Sequence, residues 1–105
     1  MENTVETSLL MEYYGKLLTE KQLVIMRLYY DEDFSLSEIA ELNQTSRQAI
    51  HDLIKRTHGQ LLKYEAKLGI KQLAETTELK KKQLLELLES QNKLDEDIRQ
   101  LIETI

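Results

Sequence analysis

The 105-residue chain has no cysteine, no proline, no tryptophan, a single phenylalanine and only three glycines. Without cysteine there can be no disulfide, no thiolate nucleophile and no cysteine-ligated zinc or iron. A small chain lacking such staples fits a reducing cytoplasm. With no proline and so little glycine, helices meet few interior breakers. No apolar run approaches the roughly 20 residues that span a bilayer. Met1-Glu2-Asn3 also lacks the basic and apolar regions of a signal peptide. The expectation is a soluble cytoplasmic protein with no membrane insertion. Catalytic signals are missing too, since the chain has neither a glycine-rich phosphate loop nor a nucleophile motif. His51 and His58 could share a helix face, but no third metal ligand accompanies them. Asp31 and Asp33 read as a solvated turn rather than a general acid and base. No enzyme activity, cofactor or metal is expected.

Leucine, glutamate, lysine and glutamine dominate, and all four favour helix. Nothing reads as two or more strands, so the fold class is all-α. The length suits one small domain, or a small domain with an appendage, and a monomer of this size buries only a modest share of its surface. The net charge of −5 argues against a general DNA-coating protein, but the charge is uneven. Residues 1–45 carry −6, residues 46–71 carry +4 and residues 72–105 carry −3.

Apolar spacing predicts a first helix over Thr4 to Tyr14. Its inner face would hold Val5, Leu9, Leu10 and Tyr13, with Asn3 or Thr4 as cap and Gly15 as stop. Thr19-Glu20-Lys21-Gln22 is a capping-box pattern that opens a second helix. That helix has a broad face of Leu23, Ile25, Met26, Leu28, Tyr29 and Tyr30. Ser35-Leu36-Ser37-Glu38 is another capping box, and opens a short helix with Ile39, Ala40 and Leu42 inward. Thr45-Ser46-Arg47-Gln48 has the same form. The helix behind it runs from Ser46 to about His58, with Ile50, Leu53, Ile54 and Thr57 buried and Gly59 ending or bending it. Leu61, Leu62, Tyr64 and Leu68 continue as a further helical stretch closed by Gly69.

A short helix, a tight turn and a second helix within Leu36 to Thr57 make a helix-turn-helix unit. Ala40 lets the two helices cross closely, and Ile50, ten positions on, locks the second onto the first. Periodicity turns Ser46, Arg47, Gln48, His51, Asp52 and Lys55 outward, and Arg56 and Lys63 extend the positive strip. Arginine suits guanine, glutamine suits adenine and lysine suits phosphate. The candidate DNA-binding residues are therefore Ser46, Arg47, Gln48, His51, Lys55 and Arg56. Asp52 is a negative charge among them.

Leu18-Thr19-Glu20-Lys21-Gln22, Leu28-Tyr29-Tyr30 and Ser37-Glu38-Ile39-Ala40-Glu41 resemble the region-4-like domain of sigma factors. Ser46-Arg47-Gln48-Ala49-Ile50 and Ile54-Lys55-Arg56-Thr57 resemble more narrowly the YlxM family of small bacterial proteins. The resemblance covers roughly Tyr13 to Leu68. It implies a sigma-region-4-like fold, DNA binding, a regulatory role and a link to the signal recognition particle pathway, beside whose GTPase the family is encoded. At the turn, where these motifs usually have glycine or asparagine, this chain has Gln44, which shifts the left-handed conformation to Asn43.

Beyond Gly69 the composition changes, and a boundary falls near residue 70. Residues 1–70 form the helix-turn-helix domain, and residues 71–105 form a C-terminal helical extension. Leucines at 73, 79, 84, 85, 87 and 88 lie in a charged stretch in which Lys80-Lys81-Lys82 reads as a solvated face. After a break at Ser90-Gln91-Asn92, the residues Leu94, Ile98, Leu101, Ile102 and Ile105 form a narrow apolar stripe. That stripe can fold back on the first domain or pack on a second chain, and a homodimer through 71–105 is the favoured reading. The expected partners are duplex DNA, with RNA as the alternative nucleic acid, and a second copy. A rival reading makes the chain a protein-interaction module for signal recognition particle components, without DNA readout.

Overall fold

The computed structural model describes residues 4–105. Among these residues there are six α-helices and no strand. They are α1 (Thr4–Tyr14), α2 (Glu20–Tyr30), α3 (Leu36–Leu42), α4 (Arg47–Leu68), α5 (Ile70–Ser90) and α6 (Glu96–Glu103). A 3-10 turn, Gly15–Leu17, follows α1. The chain forms two compact units that meet in sequence at Gly69 and Ile70.

The first unit starts from local signals. Thr19 and Ser35 each cap a helix, and both capping boxes close reciprocally. The Thr19 hydroxyl accepts from the Gln22 N–H at 3.1 Å while the Gln22 side chain accepts from the Thr19 N–H at 2.9 Å. Two donors that the helix cannot pair are satisfied at once.

Helix α1 presents a different face from the expected one. Thr7, Leu10, Met11 and Tyr14 are buried, whereas Val5 is 72% exposed and Tyr13 is also exposed. The buried set follows i, i+3, i+4 and i+7, so the helix is rotated by part of a turn relative to its most apolar-looking stripe. Thr4 is already helical, and Asn3 lies outside the described residues. Gly15 packs closely on α2, where a Cβ would sit 3.2 Å from the Leu23 Cδ1 methyl, a tight contact.

The core joins α1 through α4. Leu10, Tyr14, Ile25, Met26, Ile39, Ile50, Ile54 and Leu61 are almost wholly buried, with Leu23, Leu28, Tyr29, Leu53 and Tyr64 packed around them. Helix α4 is continuous over 22 residues and runs through Gly59 without ending there. Thr57 and Leu61 are both buried, so packing on either side of Gly59 holds the helix together. It stops where expected, at Gly69 in the left-handed conformation with φ 60°.

A polar lock ties α4 to α2 and α1. The Gln22 amide donates to Thr57 Oγ1 at 3.3 Å and to Gln60 Oε1 at 3.2 Å, and the Gln60 amide donates to the Tyr64 hydroxyl at 2.8 Å. The Tyr14 hydroxyl donates to Glu65.

The second unit is a pair of helices. Ser90 ends α5, and Asn92 takes the left-handed conformation while the Lys93 N–H reaches the Leu88 carbonyl at 2.8 Å. No residue of α5 is fully buried. Of the C-terminal stripe, Ile102 is buried, Leu94 and Ile98 are half-buried, and Leu101 and Ile105 are exposed.

A Cβ on Gly59 would meet nothing within 4 Å. The substitution Gly59→Ala is expected to stabilise the first unit by about 0.5–1 kcal/mol, by narrowing the unfolded ensemble. Thermal unfolding followed by circular dichroism checks this, and an unchanged or lower midpoint would contradict it.

Candidate nucleic-acid interface

Helices α3 and α4 form the helix-turn-helix, and its turn has a specific geometry. Asn43 caps α3 with φ −100°, and Gln44 takes the left-handed conformation at φ 52°. This reverses the expected assignment of the two residues. Two hydrogen bonds explain it. The Gln44 N–H bonds the Glu41 carbonyl at 3.2 Å, and the Thr45 N–H bonds the Ala40 carbonyl at 3.0 Å. That pairing is a Schellman cap, which puts its left-handed residue one position after the helix cap. The Asn43 amide instead donates to the Ile39 carbonyl at 2.8 Å. Glutamine therefore occupies a conformation that ordinarily favours glycine.

The cap of α4 is Ser46, not Thr45. Its hydroxyl accepts from the Ala49 N–H at 3.0 Å, and no reciprocal box closes. The helix crossing is as the spacing predicts: Ala40 and Ile50 are both buried, with Ile39 and Ile54 beside them. Leu42 is the exception. It is 64% exposed, whereas Leu36, at the start of α3, is buried with Ile39 and Ala40.

The outward side of α4 carries the six candidate residues in three environments. Ser46 is spent on the cap, and its neighbour Arg47 is exposed in the first turn. Gln48 is exposed, but its amide donates to Asp52 Oδ1 at 2.9 Å. His51 lies on the flank, half-buried, with Nδ1 3.6 Å from the same Asp52 oxygen. Lys55 and Arg56 are exposed one turn further on, and together with Ala49 and Asp52 they line a shallow open groove. Lys55, Arg56 and Asp52 are thus brought together, while Arg47 and His51 stand apart on one side. Among the described residues, Arg47, Lys55 and Arg56 form no ion pair. The Asp52 carboxylate accepts from Gln48 and faces His51, and it forms no ion pair with any of the three cations.

Ala49 was not singled out from the sequence. Its position, three before Asp52 and seven before Arg56, is the signal that places it on this groove.

The sequence model of the UPF0122 family, described as "Putative helix-turn-helix protein, YlxM / p13 like", matches residues 1–105. The chain belongs to this family. A UPF0122 protein of Clostridium perfringens is 52% identical over 103 residues, covering 98% of this chain and 92% of that protein. A UPF0122 protein of Clostridium botulinum is 67% identical over 72 residues, covering 69% of this chain and 66% of its own length. One from Clostridium novyi is 44% identical over 111 aligned positions, covering 97% of this chain and 96% of its own length. The all-α helix-turn-helix architecture inferred from the residues is that of the family.

Because Gln44 holds a left-handed backbone, Gln44→Gly is expected to raise stability by up to about 1 kcal/mol. Urea unfolding is the measurement, and a lower midpoint at unchanged slope would contradict it.

Proposed function

We propose that this chain is a regulatory DNA-binding protein that meets duplex DNA with the N-terminal half of α4. Ser46, Arg47, Gln48, His51, Lys55 and Arg56 are its contact residues. The observation that carries the reading is the unpaired exposed cations Arg47, Lys55 and Arg56 on one helix of an otherwise acidic chain. Arg47 and Lys55 serve phosphates and base edges, and Arg56 the backbone. The Ser46 cap takes the Ala49 N–H and leaves the first-turn N–H groups of Arg47 and Gln48 for a phosphate oxygen. Asp52 opposes phosphate and keeps nonspecific binding weak. RNA is the competing nucleic acid. The proposed setting is the cytoplasm, with no catalytic role assigned; among the described residues, no helix is long and apolar enough to cross a membrane.

The unit Ile70–Ile105 serves in this reading as a homodimerisation element, as proposed for residues 71–105 from the sequence. Leu73, Leu84, Leu87, Leu101 and Ile105 are exposed on two helices that bury only Ile102 completely. A second copy would cover them and present two recognition helices at a fixed spacing.

The acidic surfaces favour a second reading. The chain would bind a basic component of the signal recognition particle, with the helix-turn-helix as scaffold. Pull-down with purified targeting components separates the two readings, because capture retained after Arg47→Ala supports the second.

Fluorescence anisotropy on random duplex fragments tests the first reading. Affinity is expected to fall as salt rises, and Arg47→Ala and Lys55→Ala should each lower the salt slope by about 1. Asp52→Asn is expected to tighten binding several-fold by removing a charge that repels phosphate. No binding at low salt, or variants indistinguishable from the parent, would overturn it.

Light scattering is expected to give twice the 12.4 kDa of one chain. Leu84→Glu with Leu87→Glu should return it to the single-chain mass. A single-chain mass for the parent at tens of micromolar would remove the dimer.

A further inference from the structure

We infer that the outer face of α3 is a docking groove for a basic amphipathic helix of a partner protein. The inference rests on the second reading above, and adds to it a site and the chemistry of the partner.

Phe34, Glu38, Glu41 and Leu42 line an open groove along α3. Glu38, Glu41 and Leu42 recur at i, i+3 and i+4 on one face of α3, and Phe34 stands just before its Ser35 cap. The groove has an apolar floor and acidic walls. Leu42 is 64% exposed, whereas Leu36 and Ile39, the other large aliphatics of α3, are buried. The chain's own core therefore leaves Leu42 uncovered, with Phe34 only half-buried beside it.

The walls define the charge of the occupant. Glu38 is held in place by the capping box, its Oε1 accepting from the Ser35 N–H at 3.0 Å. That bond, with a further one from the Ser35 hydroxyl, lowers the affinity of the carboxyl for a proton, so it stays ionised. Glu41 is exposed, and among the described residues its side chain has no cation or hydrogen-bond partner. Glu32 and Asp33 are exposed immediately before Phe34. A phosphate, whether of nucleic acid or of a lipid headgroup, is repelled from such a surface. Lysine or arginine is attracted to it. The apolar floor in turn requires apolar side chains at helical spacing. One helix that supplies both is amphipathic, with leucine-like anchors in the groove and basic residues on its flanks.

This face differs from the α4 face in charge and in the kind of ligand it fits. The two surfaces can therefore be disabled separately.

The test uses the full chain and a fluorescein-labelled synthetic leucine–lysine amphipathic helix, with a lysine-only peptide of equal charge as control. Anisotropy should show binding of the amphipathic helix and much weaker binding of the control. Leu42→Ser and Glu41→Lys should each weaken binding about tenfold or more, as loss of a central anchor or a facing charge does. Glu103→Lys, an equal charge change in the second unit, should leave binding nearly unchanged. Leu42→Ser should also leave any DNA shift unchanged. Circular dichroism of the variants confirms that they remain helical. Equal losses for Glu103→Lys and Glu41→Lys, or equal binding of both peptides, would overturn the groove while leaving a protein partner in place. Binding of neither peptide would remove the groove, and the second reading would then stand or fall on the pull-down with purified targeting components. A drop in solution mass on Leu42→Ser, with peptide binding intact, would identify the occupant as a second copy and overturn the proposal.

Discussion

Helix α4 has to satisfy two surfaces along its length. Its inner side supplies Ile50, Ile54, Thr57 and Leu61 to the core, and its outer side carries the exposed cations. The second half is fastened by the hydrogen bonds from Gln22 through Gln60 to Tyr64, and by Tyr14 to Glu65. Gln22 both completes the cap of α2 and reaches across to α4, so the start of one helix and the middle of another are set by a single side chain. Partly buried polar links of this kind contribute little net energy each, but they restrict alternative packings. The first half of α4 is held by its own packing, with Ile50 and Ile54 buried where it crosses α3.

The turn between α3 and α4 adds a second constraint. The Schellman cap fixes which residue is left-handed, and the Ser46 cap then fixes where α4 begins. With both set, Arg47, Lys55 and Arg56 emerge on the exposed side, and among the described residues none of them forms an ion pair, although Asp52 shares a groove with Lys55 and Arg56. Asp52 would have been the natural neutralising partner, but the Gln48 amide holds it. The pair is a compromise at the outer face. Gln48 spends part of its hydrogen-bonding capacity on that bond.

Much of this was legible in the residues. The boxes at Thr19 and Ser35, the Ala40–Ile50 spacing, the stop at Gly69 and the break at 90–92 all rest on chemistry within a few residues, where sequence is most informative. What was missed depended on packing. A buried Thr7 does not look apolar, so the α1 face was drawn through Val5 instead. Gly59 reads as a stop or a bend until Thr57 and Leu61 are seen buried on either side of it. Thr45 and Ser46 are adjacent hydroxyls, and only the backbone entering from the turn decides which one caps. The candidate positions on α4 are exposed, except that His51 is half-buried, and Ser46 and Gln48 have partners inside the chain. Those partners lie three and four residues away, within reach of a periodicity argument that had been applied only to outward direction.

The continuity of α4 through Gly59 also makes it a lever. At 1.5 Å per residue, Arg47 stands about 20 Å from the Gln60 fastening. A tilt of about 5° at that fulcrum moves the far end by nearly 2 Å, more than a hydrogen-bonded contact tolerates. Gln22 and Gln60, together with the buried Ile50 and Ile54, thereby set the aim of the exposed cations. Damage at the fulcrum would look, in a binding measurement, like damage at the tip.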